Sequence, residues 1–398
     1  LKKVIYIHNN YEPENFPRKP DPDDRFFTYG FGSSLARSFK KYNPDFTVEM
    51  WRIDGYVDKY HEKEVQGVKF RIFPAFRIGR WGEVSLRFIR ELRRELKKNK
   101  CILFVSHVHT WLTYQIAFLF GKRFPLACSH HGDWSPFFKV RKRKGLRWLK
   151  DFVEMQIEKI VLKRVDYFFV GDFFQIPYLR EAFPDINYTI FSSGLDVKKM
   201  TPIPKKSARD QLGWDCSKKY ILYVGKLYEL KQPKELIDIW REIKKEHPEV
   251  ELVIIGNSKK DKYYQYAVES GAMVLGRILN KELNVYYSAA DVYVLLALRD
   301  DFFGGTGIAP LEALACNTPV VSYSLRNYIG DNVHEIGEVP DSIEAYKAAI
   351  EKVLFNGAVY KNMRESIERH YSREVIASKV RKVFDLLLIK YDMNGNQE

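Results

Sequence analysis

Short apolar runs recur along this chain, each ending in polar or glycine residues and each separated from the next by an amphipathic stretch. Residues 3–7, 46–51, 68–73, 101–106, 126–129, 166–171 and 188–191 have strand length and little alternation. That pattern predicts parallel strands buried on both faces. Helical periodicity fills the gaps at about 33–41, 84–98 and 110–120. It returns at 139–164, a basic stretch whose apolar residues include Trp148, Leu149, Phe152, Val153, Ile157 and Ile160. Such a helix is expected to cover the sheet and turn its lysines to water. The alternative is that it lies on an anionic membrane. After Thr201-Pro-Ile-Pro-Lys-Lys206, read as a linker, the rhythm restarts. Strands are expected at 220–224, 251–255, 274–275, 292–296 and 318–322, with helices at 233–246, 263–270, 281–289, 343–355 and 358–370. The fold class is therefore α/β, with two Rossmann-like doubly wound domains at 1–200 and 201–372. An amphipathic helix and tail at 373–398 are expected to pack back on the N-terminal domain.

In doubly wound sheets ligands sit outside the carboxyl ends of the strands, so the residues that end each run matter most. In the first half these are His8, the His107–His109 pair, and His130-His131-Gly132-Asp133. In the second half one run ends in Gly225-Lys226, and Lys231 follows near the next helix start. Two lysines there are placed to address one diphosphate. Residues 300–321 (DDFFGGTGIAPLEALACNTPVV) are the most distinctive stretch. Gly304, Gly305, Thr306 and Gly307 leave the backbone bare before a helix with Pro310 in its first turn. Exposed amides at a helix N-terminus favour a phosphate. Glu312, one turn in, is placed to reach sugar hydroxyls beside it.

The formal charge of +14 on 398 residues calls for an anionic partner. No helix-turn-helix, zinc-finger or RNA-binding signature accompanies it, so nucleic acid is not expected. Four scattered cysteines (101, 128, 216 and 316) lack metal-ligand or disulfide spacing. No apolar run approaches a membrane span, and LKKVIYIHNN is too short for a signal peptide. The expected location is cytoplasmic, with possible peripheral attachment at the inner face of a membrane.

Several stretches together resemble a known family. VGKLYELKQPKELI, LVIIGNS, VLGRILNKELNVYYSAADVYVLL and GIAPLEALACNTPVV look like the C-terminal half of retaining glycosyltransferases of family 4, which have the GT-B fold. The likeness runs from about 219 to 370. It is looser in the first half, at 126–132, 165–171 and Ser193-Gly-Leu-Asp196. It implies two domains facing each other across a cleft, with the nucleotide-sugar donor on the second and the acceptor on the first. Lys226 and Lys231 would hold the donor diphosphate, aided by Gly225 and by the backbone of Gly305, Thr306, Gly307 and Ile308. Glu312 would bind the donor ribose, and Arg277 and Ile278 would meet the base. His131 would lie near the transferred sugar. His109, Asp133, Asp301, Gly30 and Gly32 are further candidates for the acceptor or sugar.

The sequence departs from the family pattern at two places. Gly304 stands where the first Glu of E-x7-E belongs, with Asp300 or Asp301 nearby as substitutes. Phe26-Phe27 stands where a Gly-Gly pair is usual, and Gly30 and Gly32 lie a few residues on. Phe26, Phe27, Tyr29, Trp134, Phe137 and Phe138 are mostly expected in the core, with stacking on a sugar or lipid as the alternative. The reaction implied is metal-independent transfer of a sugar to a hydroxyl acceptor, whether glycan, glycolipid or small molecule, with no cofactor beyond the nucleotide-sugar. Asp21-Pro22-Asp23 has the spelling of a metal motif but is read as solvated. A donor-binding protein with weak turnover is the alternative, and a basic nucleic-acid or membrane-surface protein ranks below it.

Overall fold

The apolar runs of the first half form one eight-stranded sheet. The computed structural model describes residues 2–9, 19–28, 30–78, 82–256, 259–330, 332–356 and 360–394. Its first-half strands are β1 (Lys2–Asn9), β2 (Phe46–Asp54), β3 (His61–Val65), β4 (Val68–Pro74), β5 (Cys101–Ser106), β6 (Leu126–His130), β7 (Tyr167–Val170) and β8 (Tyr188–Ile190). The spatial order is β8-β7-β6-β5-β1-β2-β4-β3, and every pairing is parallel except β3 with β4. Val4, Ile5, Tyr6 and Ile7 of β1 are fully buried, as central position in a covered parallel sheet demands. The short β3 hairpin strand (HEKEV) is polar and mostly exposed, and no apolar pattern announces it.

The second half forms a six-stranded sheet from β9 (Lys219–Val224), β10 (Val250–Ile255), β11 (Met273–Gly276), β12 (Val292–Leu295), β13 (Val320–Ser322) and β14 (Gly337–Glu338). All pairings are parallel, in the order β11-β10-β9-β12-β13-β14. The chain divides into two units, Leu1–Ser193 with Ile376–Glu398, and Gly194–Val375. The division falls ahead of 201–206, which lies inside the second unit. There Pro204 precedes a helix, Lys205–Leu212, that the pattern did not announce. The Ile203 amide donates to Ser288 Oγ at 3.0 Å, anchoring the proline-rich stretch.

The C-terminal helix Arg373–Asn394 buries Ile376, Ala377, Val380, Val383, Phe384 and Leu387 on one face of the first unit. Those positions recur at helical spacing and form one stripe. The Phe384 ring lies 5.3 Å from that of Phe39 and 5.9 Å from that of Phe104. Arg381 grips Asp45 with two bonds of 2.6 and 2.8 Å.

The basic stretch 139–164 differs from expectation. It breaks at Gly145, whose φ of 67° favours glycine, into helices Pro136–Lys142 and Leu146–Val161. The inner stripe of the second helix is Asp151, Glu154, Glu158 and Val161, whereas Leu149, Val153 and Ile160 face outward. Val161, Met155 and Ile157 still pack on the core, but three acids share the inner side because each has a buried or half-buried partner. Arg143 meets Asp151 at 3.1 Å, and His109 meets Glu158 at 2.7 Å.

Phe384→Ala should remove a fully buried ring and destabilise the first unit by roughly 3–5 kcal/mol. A lowered denaturant midpoint for that unit's transition, with the second unit's unchanged, is the expected measurement.

Candidate functional site

Each sheet has a point where the strand order reverses, between β1 and β5 in the first and between β9 and β12 in the second. Crossover connections leave such a point in opposite directions, so a crevice opens outside the strand ends. The candidate residues gather at these two places, and each unit is described on its own.

In the second unit β9 ends at Gly225, whose amide donates to Ile255 O at 2.8 Å. Gly225 has φ 152°, and a Cβ there would stand 2.6 Å from the Lys231 ammonium. The glycine therefore makes room for that charge. A short 3₁₀ turn, Glu229–Lys231, carries Lys231 back toward the strand end. Gln232 then adopts φ 52° and accepts the Leu298 amide at 2.8 Å, tying this turn to the loop after β12. Lys226 is exposed. Burial, followed by repulsion from Lys226, lowers the Lys231 pKa to about 8. Among the described residues no carboxylate lies within ion-pairing distance of either lysine. A desolvated ammonium with another cation beside it is a strong seat for an anion.

The loop after β12 brings in the rest. Gly305 and Gly307 have φ of 61° and 80°, and the helix Ile308–Ala315 starts directly after Gly307. Thr306 is buried, and its carbonyl accepts from Ser324 Oγ at 3.1 Å. Ile308 is exposed at the helix start. Glu312 is buried with both oxygens engaged: Asn280 Nδ2 donates at 2.8 Å and the Tyr287 hydroxyl at 2.9 Å. Burial raises its pKa, against the lowering effect of those two donors. Asn280 follows the turn of Arg277, exposed, and Ile278, half-buried. The bond to Asn280 thus links that turn to the Glu312 helix. Neither Asn280 nor Tyr287 was legible as a site residue, because each lies more than twenty positions from Glu312 in sequence.

No acid occupies position 304. A Cβ on Gly304 would come within 2.6 Å of the Phe302 ring, which is itself buried. Asp301 is gripped by Arg299 at 2.8 and 3.0 Å, and Asp300 is exposed. The aromatic ring, rather than either aspartate, covers the glycine.

In the first unit three imidazoles cluster. The ring centroids of His8 and His107 are 5.5 Å apart, and those of His107 and His131 are 5.6 Å apart. His107 adopts φ 71°, in the left-handed region, and its Nδ1 lies 2.9 and 3.0 Å from the two oxygens of Asp133. The charge of His107 and its hydrogen bond hold the Asp133 carboxyl far below the usual range, although burial acts in the other direction. His131 Nε2 is 2.8 Å from Ser129 Oγ. Burial, then the His107 charge, pushes its pKa well down, so it is a neutral imidazole at pH 7. Gly32 packs over this cluster: a Cβ there would stand 3.5 Å from Ser106 Oγ and 3.7 Å from His8 Nδ1. Gly30, with φ 90°, caps the helix Phe31–Tyr42 that carries Gly32.

His109 does not join the cluster. Its side chain is fully buried against Glu158, which also accepts from the Tyr114 hydroxyl at 2.6 Å. His130 is equally buried beside it, with a pKa lowered to about 4 by burial. Phe26, Phe27, Phe137 and Phe138 are core residues, Trp134 is half-buried, and Tyr29 lies outside the described residues. Asp21 is not merely solvated, since its carboxylate accepts the amides of Arg25 and Phe26 at 2.9 and 2.8 Å. Among the described residues no group of three or more His, Cys, Asp or Glu is placed to hold a metal ion.

Residues 204–370 match the family described as glycosyl transferases group 1. The D-inositol 3-phosphate glycosyltransferase of Corynebacterium aurimucosum is 29% identical over 239 residues, covering 55% of each chain. An uncharacterized glycosyltransferase of Methanocaldococcus jannaschii is 28% identical, over 46% of this chain and 49% of its own. The chain thus spans about half the length of the curated relatives it matches. Among solved structures, a sucrose-phosphate synthase of Thermosynechococcus elongatus superposes with a TM-score of 0.70 at 17% identity, covering 98% of this chain and all of that one. Anabaena HepE, solved with UDP and glucose, gives 0.61 at 12% identity, covering 96% and 99%. The fold is that of the GT-B glycosyltransferases.

Because an anion on Lys231 stabilises its ammonium, binding must raise the pKa from about 8. Affinity for a nucleoside diphosphate should weaken as pH rises through about 8. Lys231→Arg, charged throughout, should flatten that profile. Calorimetric titration across the range checks both.

Proposed function

We propose that the protein is a retaining glycosyltransferase that moves a sugar from a nucleotide-sugar to a hydroxyl acceptor. The observation that carries this reading is the Lys226–Lys231 pair, two cations with no carboxylate partner among the described residues, at the reversal point of the second sheet. The family match over 204–370 and the glycosyltransferase relatives support it.

In this mechanism the anomeric C–O bond breaks and its electron pair leaves with the diphosphate. The two lysines and the amides at the start of the Ile308–Ala315 helix meet that growing charge. Fixed charges aimed at a developing anion contribute about 10²–10³ in rate each. The acceptor oxygen bonds to the anomeric carbon on the face the phosphate leaves, and the acceptor proton passes to the departing phosphate oxygen. Glu312, held by Asn280 and Tyr287, is oriented to accept bonds from the donor ribose. Arg277 and Ile278 are assigned to the base, and His131 and Asp133 of the first unit to the transferred sugar or acceptor. No metal or further cofactor is required.

The absence of an acid at position 304 favours a second reading, in which the donor binds without efficient turnover. A thermal-shift screen of nucleoside diphosphates and nucleotide sugars, followed by transfer assays on the stabilising ones, separates the two. The expected result is stabilisation by one nucleotide class and product with retained anomeric configuration. The Lys226→Ala/Lys231→Ala protein should lose transfer at least about 100-fold with its melting temperature in the absence of nucleotide preserved. Stabilisation without product across a broad acceptor panel would establish the second reading. Undiminished transfer by the double variant would sink both.

A further inference from the structure

The helix Leu146–Val161 is amphipathic in the reverse sense from a normal surface helix. Its inner stripe holds three acids, and each has a partner that keeps it there. Asp151 pairs with Arg143 at 3.1 Å, Glu154 with Lys150 at 2.8 Å, and Glu158 with His109 at 2.7 Å. Its outer side exposes Leu146 by 87%, Leu149 by 51%, Val153 by 41% and Ile160 by 63%. Leaving those side chains in water forgoes the burial that ordinarily fixes a helix on a sheet.

Charge sharpens the picture. Residues 139–164 contain ten Lys and Arg and three acids, and all three acids are buried. No carboxylate of this segment therefore reaches the surface. Lys144, Arg147 and Lys163 are exposed without an ion-pair partner among the described residues. No helix among the described residues is long and apolar enough to cross a membrane, so contact with lipid here would be interfacial.

We propose that this face of the first unit is a docking surface for an anionic lipid bilayer. Leu146, Leu149, Val153 and Ile160 would enter the headgroup–acyl boundary, while Lys144, Arg147 and Lys163 meet lipid phosphates. Two requirements of an interfacial helix, an apolar face and a cationic surround, are met on one element. Nucleic acid fits less well, because a phosphate backbone offers nothing to four aliphatic side chains.

The test is sedimentation of the full chain with vesicles of zwitterionic lipid alone or with phosphatidylglycerol added. Binding is expected only to the anionic vesicles. Lys144→Glu/Arg147→Glu should weaken it by at least about 30-fold, at about 1 kcal/mol for each lost cation. Leu146→Ser/Leu149→Ser should weaken it about tenfold or more at unchanged charge. Both pairs are exposed, so the melting temperature should stay that of the parent. Failure to bind anionic vesicles overturns the proposal. So does binding that the serine variant leaves intact, which would mark a purely electrostatic face, or tighter binding to single-stranded RNA than to vesicles.

Discussion

Parallel strands can be joined only by crossovers, and crossovers that diverge from one pair of strands leave their carboxyl ends uncovered. This constraint, met once in each sheet, decides where the candidate residues of each unit lie. In the second unit it exposes the end of β9 and the loop after β12. There Gly225 leaves room for an ammonium, and Gly305 and Gly307 turn the backbone into a short helix. In the first unit the ends of β1 and β5 bring together His8 and His107, both buried.

The two crevices are electrostatic opposites. The second brings Lys226 and Lys231 together with no carboxylate partner among the described residues. In the first, Asp133 meets His107, Glu158 meets His109, and burial pushes the His131 pKa well down.

Much of this was legible in the sequence. Apolar runs located nearly every long strand, because buried parallel strands have little choice of residue. The positive φ of Gly225, Gly305 and Gly307 fits the glycine-rich turns expected there, because turn geometry depends on local backbone. What escaped depended on distant partners. The polar strand His61–Val65 is held by its hairpin neighbour, not by its own pattern. Asn280 and Tyr287 hold Glu312 only because the fold brings it to them. The helix Leu146–Val161 was misoriented by its own periodicity, since hydrophobicity was outweighed by fixed basic partners for three acids. His109 looked like a strand-end site residue and is a core residue for the same reason.

The helix Arg373–Asn394 has a consequence for how the chain is made. The first unit is discontinuous: its opening 193 residues lack the stripe of Ile376, Val380 and Phe384 that covers Tyr6, Phe39 and Phe104. The second unit is continuous and contains all of its own core. During synthesis, then, the half that begins first finishes last. Its sheet emerges with an open aromatic face and waits for the whole second unit to be translated before that face is closed. Order of synthesis and order of completion are reversed in this protein, and the nascent chain must carry an exposed apolar surface for about half its length.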